Sequence, residues 1–418
     1  MQINLKRVSK DLEELAGFTA TPGFGVTRLP FTKEDRAARE YLKKEMKKIG
    51  LAVWEDGYGT IFGRREGSVP EPCVMIGSHY DSVICGGAFD GAAGVVAALE
   101  IMRVLEESGF QNHFPLEMTA MNDEEGVRFG RGLANSQAMA GLLSSEDLVS
   151  VKDKNGVSVQ DAMLDFGIMP ALEKAKRQPG SLKAFLELHI EQGPILDDRK
   201  IDLGLVEVIV GLEKYEAVLE GASGHAGTTP MEKRRDALRA AAELILEVGK
   251  IAEEIGRGTV ATVGELSLKP NAANVIPQQV ELSIDIRAMA EADLRKAAAL
   301  LRERAAVISR RSGVAVDLTK TMSVMPVTMA PGIVNLAAEI SGKLGYSYLK
   351  MASGAAHDAM IMNRLAPAGL IFVPSKGGLS HQPGEWTDYE DLKKGIEVML
   401  QAVIQLSGKD RQIAEGIV

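Results

Sequence analysis

Apolar and polar positions along the chain switch between a helical and a strand period. Residues 32–50 carry the helical pattern, with Thr32 as a cap, a lysine-rich last turn and Gly50 as the stop. Residues 60–64 and the apolar run 73–76 read as strands, 90–107 as a helix and 114–121 as a strand. Residues 181–190 are apolar-rich and end at the turn Gly193-Pro194. Strand, helix and strand at this spacing predict a parallel α/β sheet.

The texture changes near residue 206. A strand over 206–219 precedes a polar, glycine-rich loop at 221–230 and a long amphipathic helix over 231–255. Period-two strands at 260–268 and 280–287, a helix at 291–311 and a strand at 314–320 follow. This is the pattern of a small α+β domain with two helices on one face of a sheet. From Pro331 the α/β texture returns, with a helix at 331–344, a strand at 369–373 and a helix at 389–407. The pattern predicts an α/β domain over 1–209 and 328–418, interrupted by an inserted domain over 210–327.

Length and composition narrow the function. The 418 residues fit about two domains. The net charge of -9 argues against nucleic acid or an anionic membrane as partner. No apolar run is long enough to span a bilayer, and Met1–Lys10 lacks the apolar core of a signal peptide. Two cysteines, Cys73 and Cys85, make a disulfide framework improbable and favour a cytoplasmic location.

The chemistry gathers in glycine-rich segments. Gly77-Ser78-His79-Tyr80-Asp81 and Gly86-Gly87-Ala88-Phe89-Asp90-Gly91 lie between a strand and a helix. In open α/β sheets that edge, beyond the strands' carboxyl ends, binds ligands. His79, Asp90, Glu125, His189 and His381 all fall at such ends or in the loops beyond them. Imidazole and carboxylate without thiolate suit zinc, manganese, cobalt or nickel. Five such ligands can hold two divalent ions about 3.5–4 Å apart, with Asp90 as the bridge because it has two oxygens. Glu124 and Glu125 can serve one site together only if the backbone is kinked there, since adjacent side chains of an extended segment point oppositely. One can then ligate while its neighbour accepts a proton as general base.

Further stretches stand beside these: Val26-Thr27-Arg28-Leu29, Asp123-Glu124-Glu125-Gly126, Glu187-Leu188-His189-Ile190-Glu191-Gln192-Gly193, Gly224-His225-Ala226-Gly227-Thr228-Thr229-Pro230-Met231, Asn274 with Ile276-Pro277, Asp285 with Arg287, and Ser380-His381 with Pro383. On these motifs the chain resembles the metallopeptidase-like hydantoinase/carbamoylase family, which includes N-carbamoyl-L-amino-acid hydrolases, allantoate amidohydrolases and β-ureidopropionases. The resemblance implies a dinuclear-metal hydrolase domain with an inserted lid and dimerisation domain, and a homodimer. It gives the two ions the same five ligands and makes Glu124 the general base. It makes His225 the oxyanion-stabilising residue. Gln192, Asn274 and Arg287 become substrate contacts, with Arg287 gripping a carboxylate. It also implies a cis peptide at Asp90–Gly91.

The implied reaction is hydrolysis of the urea-type bond of N-carbamoyl-L-amino acids to amino acid, ammonia and carbon dioxide. Allantoate is the alternative substrate, and a β-ureidopropionase, aminoacylase or peptidase stands further off. A non-catalytic binding protein on the same fold would have no need of Glu124. Against the family pattern, Ala356 stands where glycine is usual and Gln382 where asparagine is. Leu212 tilts towards carbamoyl amino acids and Pro374-Ser375 towards allantoate. His357 reads as a supporting residue, and His113 as a surface one.

Overall fold

The computed structural model describes residues 1–409. In chain order the strands are β1 (Ala52–Glu55), β2 (Ile61–Arg65), β3 (Cys73–His79), β4 (Leu116–Met121), β5 (Leu182–Ile190), β6 (Leu203–Ile209), β7 (Gly211–Glu220), β8 (Gly224–His225), β9 (Val260–Lys269), β10 (Val275–Ile276), β11 (Gln279–Ala288), β12 (Ala315–Val324), β13 (Val327–Thr328), β14 (Tyr348–Ser353) and β15 (Ala368–Val373). Two compact units form, one from Met1–Glu207 with the chain from Met329 onward, the other from Val208–Thr328. The expected first domain runs to residue 418, of which 410–418 lie outside the described residues.

The first unit is built on a sheet of order β1-β2-β4-β3-β5-β15-β6, with β14 beside β6. Its centre, β4-β3-β5-β15, is parallel, and the flanking pairs β1/β2, β2/β4 and β15/β6 are antiparallel. Every residue of β3, β4 and β15 is buried. Such strands read as continuous apolar runs, because helices cover both faces. The helix Ala92–Glu107 is buried from Ala92 to Leu105. Gly94 lets it approach the sheet, since a Cβ there would lie 2.2 Å from the carbonyl oxygen of Leu188. Parallel strands share a carboxyl edge. Met121, His79, Ile190 and Val373 therefore end on one side, and the loops after them carry the chemistry.

The second unit is an antiparallel sheet of order β12-β7-β11-β9. β11 alternates strictly between buried and half-buried positions, and its buried side packs with the helices Ala237–Ile255 and Glu291–Ser312 in one core. The expected strand over 206–219 is two strands broken at Val210, where Gly211 runs against Pro326; a Cβ would lie 2.5 Å from that ring. The helix expected from 231 begins at Ala237. A short turn, Met231–Lys233, comes first, and Asp236 caps the helix by accepting from the N–H groups of Leu238 and Arg239.

The sequence reading assigns no element to the helix Leu5–Gly17 or to the strands β1 and β14, although Leu5, Val8, Leu12 and Leu15 recur at helical spacing behind the Asn4 cap. Four short helices between Ala134 and Ala175 surround a separate apolar cluster that includes Phe31, Tyr58, Phe129 and Phe166. None is longer than seven residues, too short to show a helical period. No described helix is long and apolar enough to cross a membrane.

Candidate metal centre

His79 closes β3 and His189 lies one residue from the end of β5. Asp90 sits between them in the loop before the helix Ala92–Glu107. The backbone there turns tightly. Gly91 has φ 61° and ψ −51°, and the N–H of Ala92 donates to the carbonyl of Asp90 at 2.6 Å, a γ-turn. Only glycine fits, because a Cβ on Gly91 would lie 2.3 Å from the His79 ring. The cis peptide expected at Asp90–Gly91 is absent; the cis bonds among the described residues are Glu71–Pro72 and Lys269–Pro270. The positive φ of Gly91 makes the close approach instead.

Asp90 divides its two oxygens. Oδ1 lies 3.2 Å from Nε2 of His189 and 3.4 Å from Nε2 of His79. Oδ2 lies 3.3 Å from Nε2 of His381, which is 3.5 Å from Oε1 of Glu125. Two groups result, His79 with Asp90 and His189, and Asp90 with Glu125 and His381. Within each, one ligand atom per residue lies within 4.8 Å of the others.

The fit to cations can be tested on the donor atoms themselves. Nδ1 of His189 lies 2.9 Å from the carbonyl of Ile190 and donates to it, which leaves the lone pair on Nε2, the form a ligand needs. Oε1 of Glu125 is buried without a hydrogen-bond partner. Nδ1 of His79 faces Oδ1 of Asp81 at 3.4 Å without hydrogen-bond geometry. The charge pattern also fits. Burial lowers the basicity of both histidines, yet Glu124, Asp81 and Asp90 outweigh it at His79, and Asp90 with Glu187 outweighs it at His189. Asp90 is foremost in raising His381 to about 9. The carboxylates draw positive charge inward, and a divalent cation supplies it. The site's donor set fits such ions.

Glu124 approaches from the loop after β4. Asp123 adopts φ 60° just before it, so the segment is kinked and both glutamates turn to the same site. Asp81 fixes the kink by accepting the N–H of Glu124 on Oδ1 and that of Glu125 on Oδ2, each at 3.2 Å. Oε2 of Glu124 lies 3.8 Å from Nε2 of His79. Burial holds the Glu124 carboxyl well above its usual range; His79 pulls it back, and Glu125, Asp358 and Asp81 push it further up. Burial and Asp90 push Glu125 up to about 7.

Gln192 and His381 also adopt left-handed backbone, with φ 59° and 58°. Such positions cost about 1–3 kcal/mol each and persist where surrounding contacts hold them. Gln192 is held by the Ser375 hydroxyl, which accepts its N–H at 2.9 Å, and Nε2 of Gln192 donates to Oδ2 of Asp90 at 2.7 Å. Ser375, read in the sequence as a tilt towards allantoate, thus has a positioning contact here.

One residue that the sequence reading passes over, Glu385, ties the candidate ligand loops together. The buried carboxylate of Glu385 accepts the N–H groups of Phe89 and Asp90 on Oε1 and the Ser380 hydroxyl on Oε2. Ser380 Oγ also lies 3.0 Å from Oδ2 of Asp90. The signal was Ser380-His381 followed by an acid four residues after the ligand histidine. His357 packs its ring edge-on against His189 at 4.5 Å and bonds Ser353 through Nε2, so it supports that candidate ligand. His113 packs edge-on against Phe114, away from this cluster. Cys73 is a buried thiol pushed up to about 12 by burial, hence unsuited to nucleophilic work.

His225, Asn274 and Arg287 belong to the second unit. His225 pairs with Val275 in the ribbon β8/β10, and the N–H of Ala226 donates to the carbonyl of Asn274 at 3.0 Å. The structure thus brings His225 and Asn274 together. Nδ1 of His225 accepts from the N–H groups of Gly227 and Thr228, at 3.1 and 3.2 Å. In the neutral ring the proton then sits on Nε2. Arg287 lies on β11, with Nε and Nη2 on the carboxylate of Asp285 at 3.0 and 3.3 Å.

Known proteins are similar to nearly the whole chain. The model of peptidase family M20/M25/M40 matches residues 75–405. An N-carbamoyl-L-amino-acid amidohydrolase of Paenarthrobacter aurescens is 44% identical over 400 residues, covering 95% of this chain and 97% of that protein. An allantoate amidohydrolase of Bacillus subtilis (strain 168) is 36% identical over 400 residues, covering 95% and 96%. The crystal structure of a hydantoinase/carbamoylase family amidase from Burkholderia multivorans superposes with a TM-score of 0.93 at 35% identity, covering 98% of this chain and 99% of the other. The chain therefore belongs to peptidase family M20/M25/M40, a family of metal-dependent hydrolases, and to its hydantoinase/carbamoylase branch.

Proposed function

We propose that this protein hydrolyses N-carbamoyl-L-amino acids, releasing the free amino acid with ammonia and carbon dioxide. The observation that carries the reading is the shared carboxylate: Asp90 turns one oxygen to each of two ligand groups. His79, Asp90 and His189 would hold one divalent ion, and Asp90, Glu125 and His381 a second; zinc, manganese, cobalt or nickel suits these donors. Such ions polarise the ureido carbonyl and acidify water. Glu124, with Oε2 turned towards His79, takes the proton of the attacking water and later delivers it to the leaving amino nitrogen.

His225 carries its proton on Nε2, where it can donate to the developing oxyanion. Arg287 grips the substrate carboxylate, and Asn274 and Gln192 orient its polar groups. Cleavage of the urea-type bond gives the amine and carbamic acid, which breaks down to ammonia and carbon dioxide. The active form is a homodimer assembled through the second unit. The two cysteines are free thiols, which suits the cytoplasm.

Allantoate is the second reading, supported by the Bacillus subtilis relative. One assay separates them. The metal-loaded protein is given N-carbamoyl-L-methionine, allantoate or N-acetyl-L-methionine, and ammonia and free amino acid are measured. Methionine and ammonia from the first substrate alone support the proposal. Ammonia from allantoate only, or methionine from the acetyl compound only, replaces it.

A further inference from the structure

A cleft of about 370 Å³ opens beside the candidate metal centre, between the loop after β5 and the end of β14. Gln192 is the seam between the two. Its amide reaches Asp90, and the same residue lines the cleft with Pro194, Ile195, Met351 and Phe372. Phe372 stands in register opposite His189 on the neighbouring parallel strand. Its ring lies 5.4 Å from that of His357, which in turn packs edge-on against His189. Gln192 thus places the cleft next to Asp90, the residue shared by the two candidate ligand groups.

We propose that this cleft is the subsite for the side chain of the amino acid released, and that it takes an uncharged apolar chain, aliphatic or thioether. The inference rests on the function proposed above and adds the substrate class. The lining side chains are mainly apolar, and Ile195 is 40% exposed. Burying such surface against an apolar chain is favourable. The charged residue in the lining, Glu191, is already engaged: its two oxygens accept the N–H groups of Ile195 and Leu196, each at 2.8 Å. It contributes negative charge and no donor, so a carboxylate side chain is repelled. The second ureido group of allantoate would enter among Met351, Ile195 and Phe372 and give up hydrogen bonds to water there.

The test compares kcat/KM for N-carbamoyl-L-methionine, N-carbamoylglycine and N-carbamoyl-L-glutamate in the metal-loaded full chain. The wild type should prefer methionine over glycine and over glutamate by about tenfold or more. Ile195→Arg should shift the glutamate-to-methionine ratio at least tenfold towards glutamate. Met351→Ala should lower the methionine-to-glycine preference several-fold. Ratios within one variant cancel losses of folded or loaded enzyme. Unchanged ratios in both variants overturn the subsite while leaving the proposed function standing. Turnover of none of the three substrates by the wild type overturns both.

Discussion

Oε1 of Glu385 accepts the backbone N–H of Asp90 at 2.9 Å, so a carboxylate from one loop holds a residue of another that both candidate ligand groups share. The same group binds the Ser380 hydroxyl, one residue from His381. Asp90 and His381 belong to loops nearly three hundred residues apart in sequence, and Glu385 fixes both. Partners of this kind typically set ligand affinity by 10–100-fold. Glu385→Ala should weaken binding of zinc or manganese to the metal-free protein by about that factor. Glu385→Gln, which keeps an acceptor for the two N–H groups, should recover most of it. Isothermal titration of the metal-free variants measures both, and equal affinities in all three proteins would remove Glu385 from this role.

Glu124 separates binding from chemistry. Its side chain faces His79 but joins neither ligand group. Glu124→Gln should lower kcat by about 10²–10⁴-fold, the usual weight of a general base. Metal content by mass spectrometry should stay at the wild-type value. Loss of metal together with activity would make Glu124 a ligand.

Arg287 is the proposed anchor of the substrate carboxylate. A charged hydrogen-bonded pair contributes about 1.5–3 kcal/mol, which corresponds to a KM raised by roughly 10–100-fold in Arg287→Ala. The amide of the same N-carbamoyl amino acid, which has no carboxylate, should be turned over equally by both proteins. A KM unchanged for the carboxylate substrate would exclude the contact.

Acid sensitivity of the second unit should centre on Glu213. Burial pushes its carboxyl up, but the Tyr215 hydroxyl, the Lys320 ammonium at 3.0 Å and Ser323 outweigh burial and hold it below its usual value. A carboxyl lowered on folding stabilises the fold above its unfolded pKa, and that stability is lost as pH falls through the folded value. Glu213→Gln should therefore cost about 1–2 kcal/mol at pH 7, with the difference shrinking below about pH 4. Urea unfolding at both pH values checks this; a constant difference would place the effect in packing.

Legibility in the sequence followed the length of the signal. The helix Lys33–Ile49 shows its Thr32 cap, its lysines and a left-handed Gly50 in the chain itself. β3, β4 and β5 are apolar runs ending in polar loops, so their common edge could be inferred before any coordinates. The ligand types and the kink at Glu124 were readable because their chemistry is local. The γ-turn at Gly91 was not, since it depends on how closely the His79 ring approaches. Glu385 escaped for a similar reason: its partners Phe89 and Asp90 are distant in sequence, and pattern carries no such pairing. The break at Val210 likewise depends on Pro326 packing against Gly211.

The central claim is that Asp90 bridges two cations, and anomalous diffraction at the absorption edge of the loaded metal tests it most directly. Two peaks about 3.5–4 Å apart, one against each oxygen of Asp90, are the predicted result. A single peak, or two that leave Asp90 untouched, would contradict it.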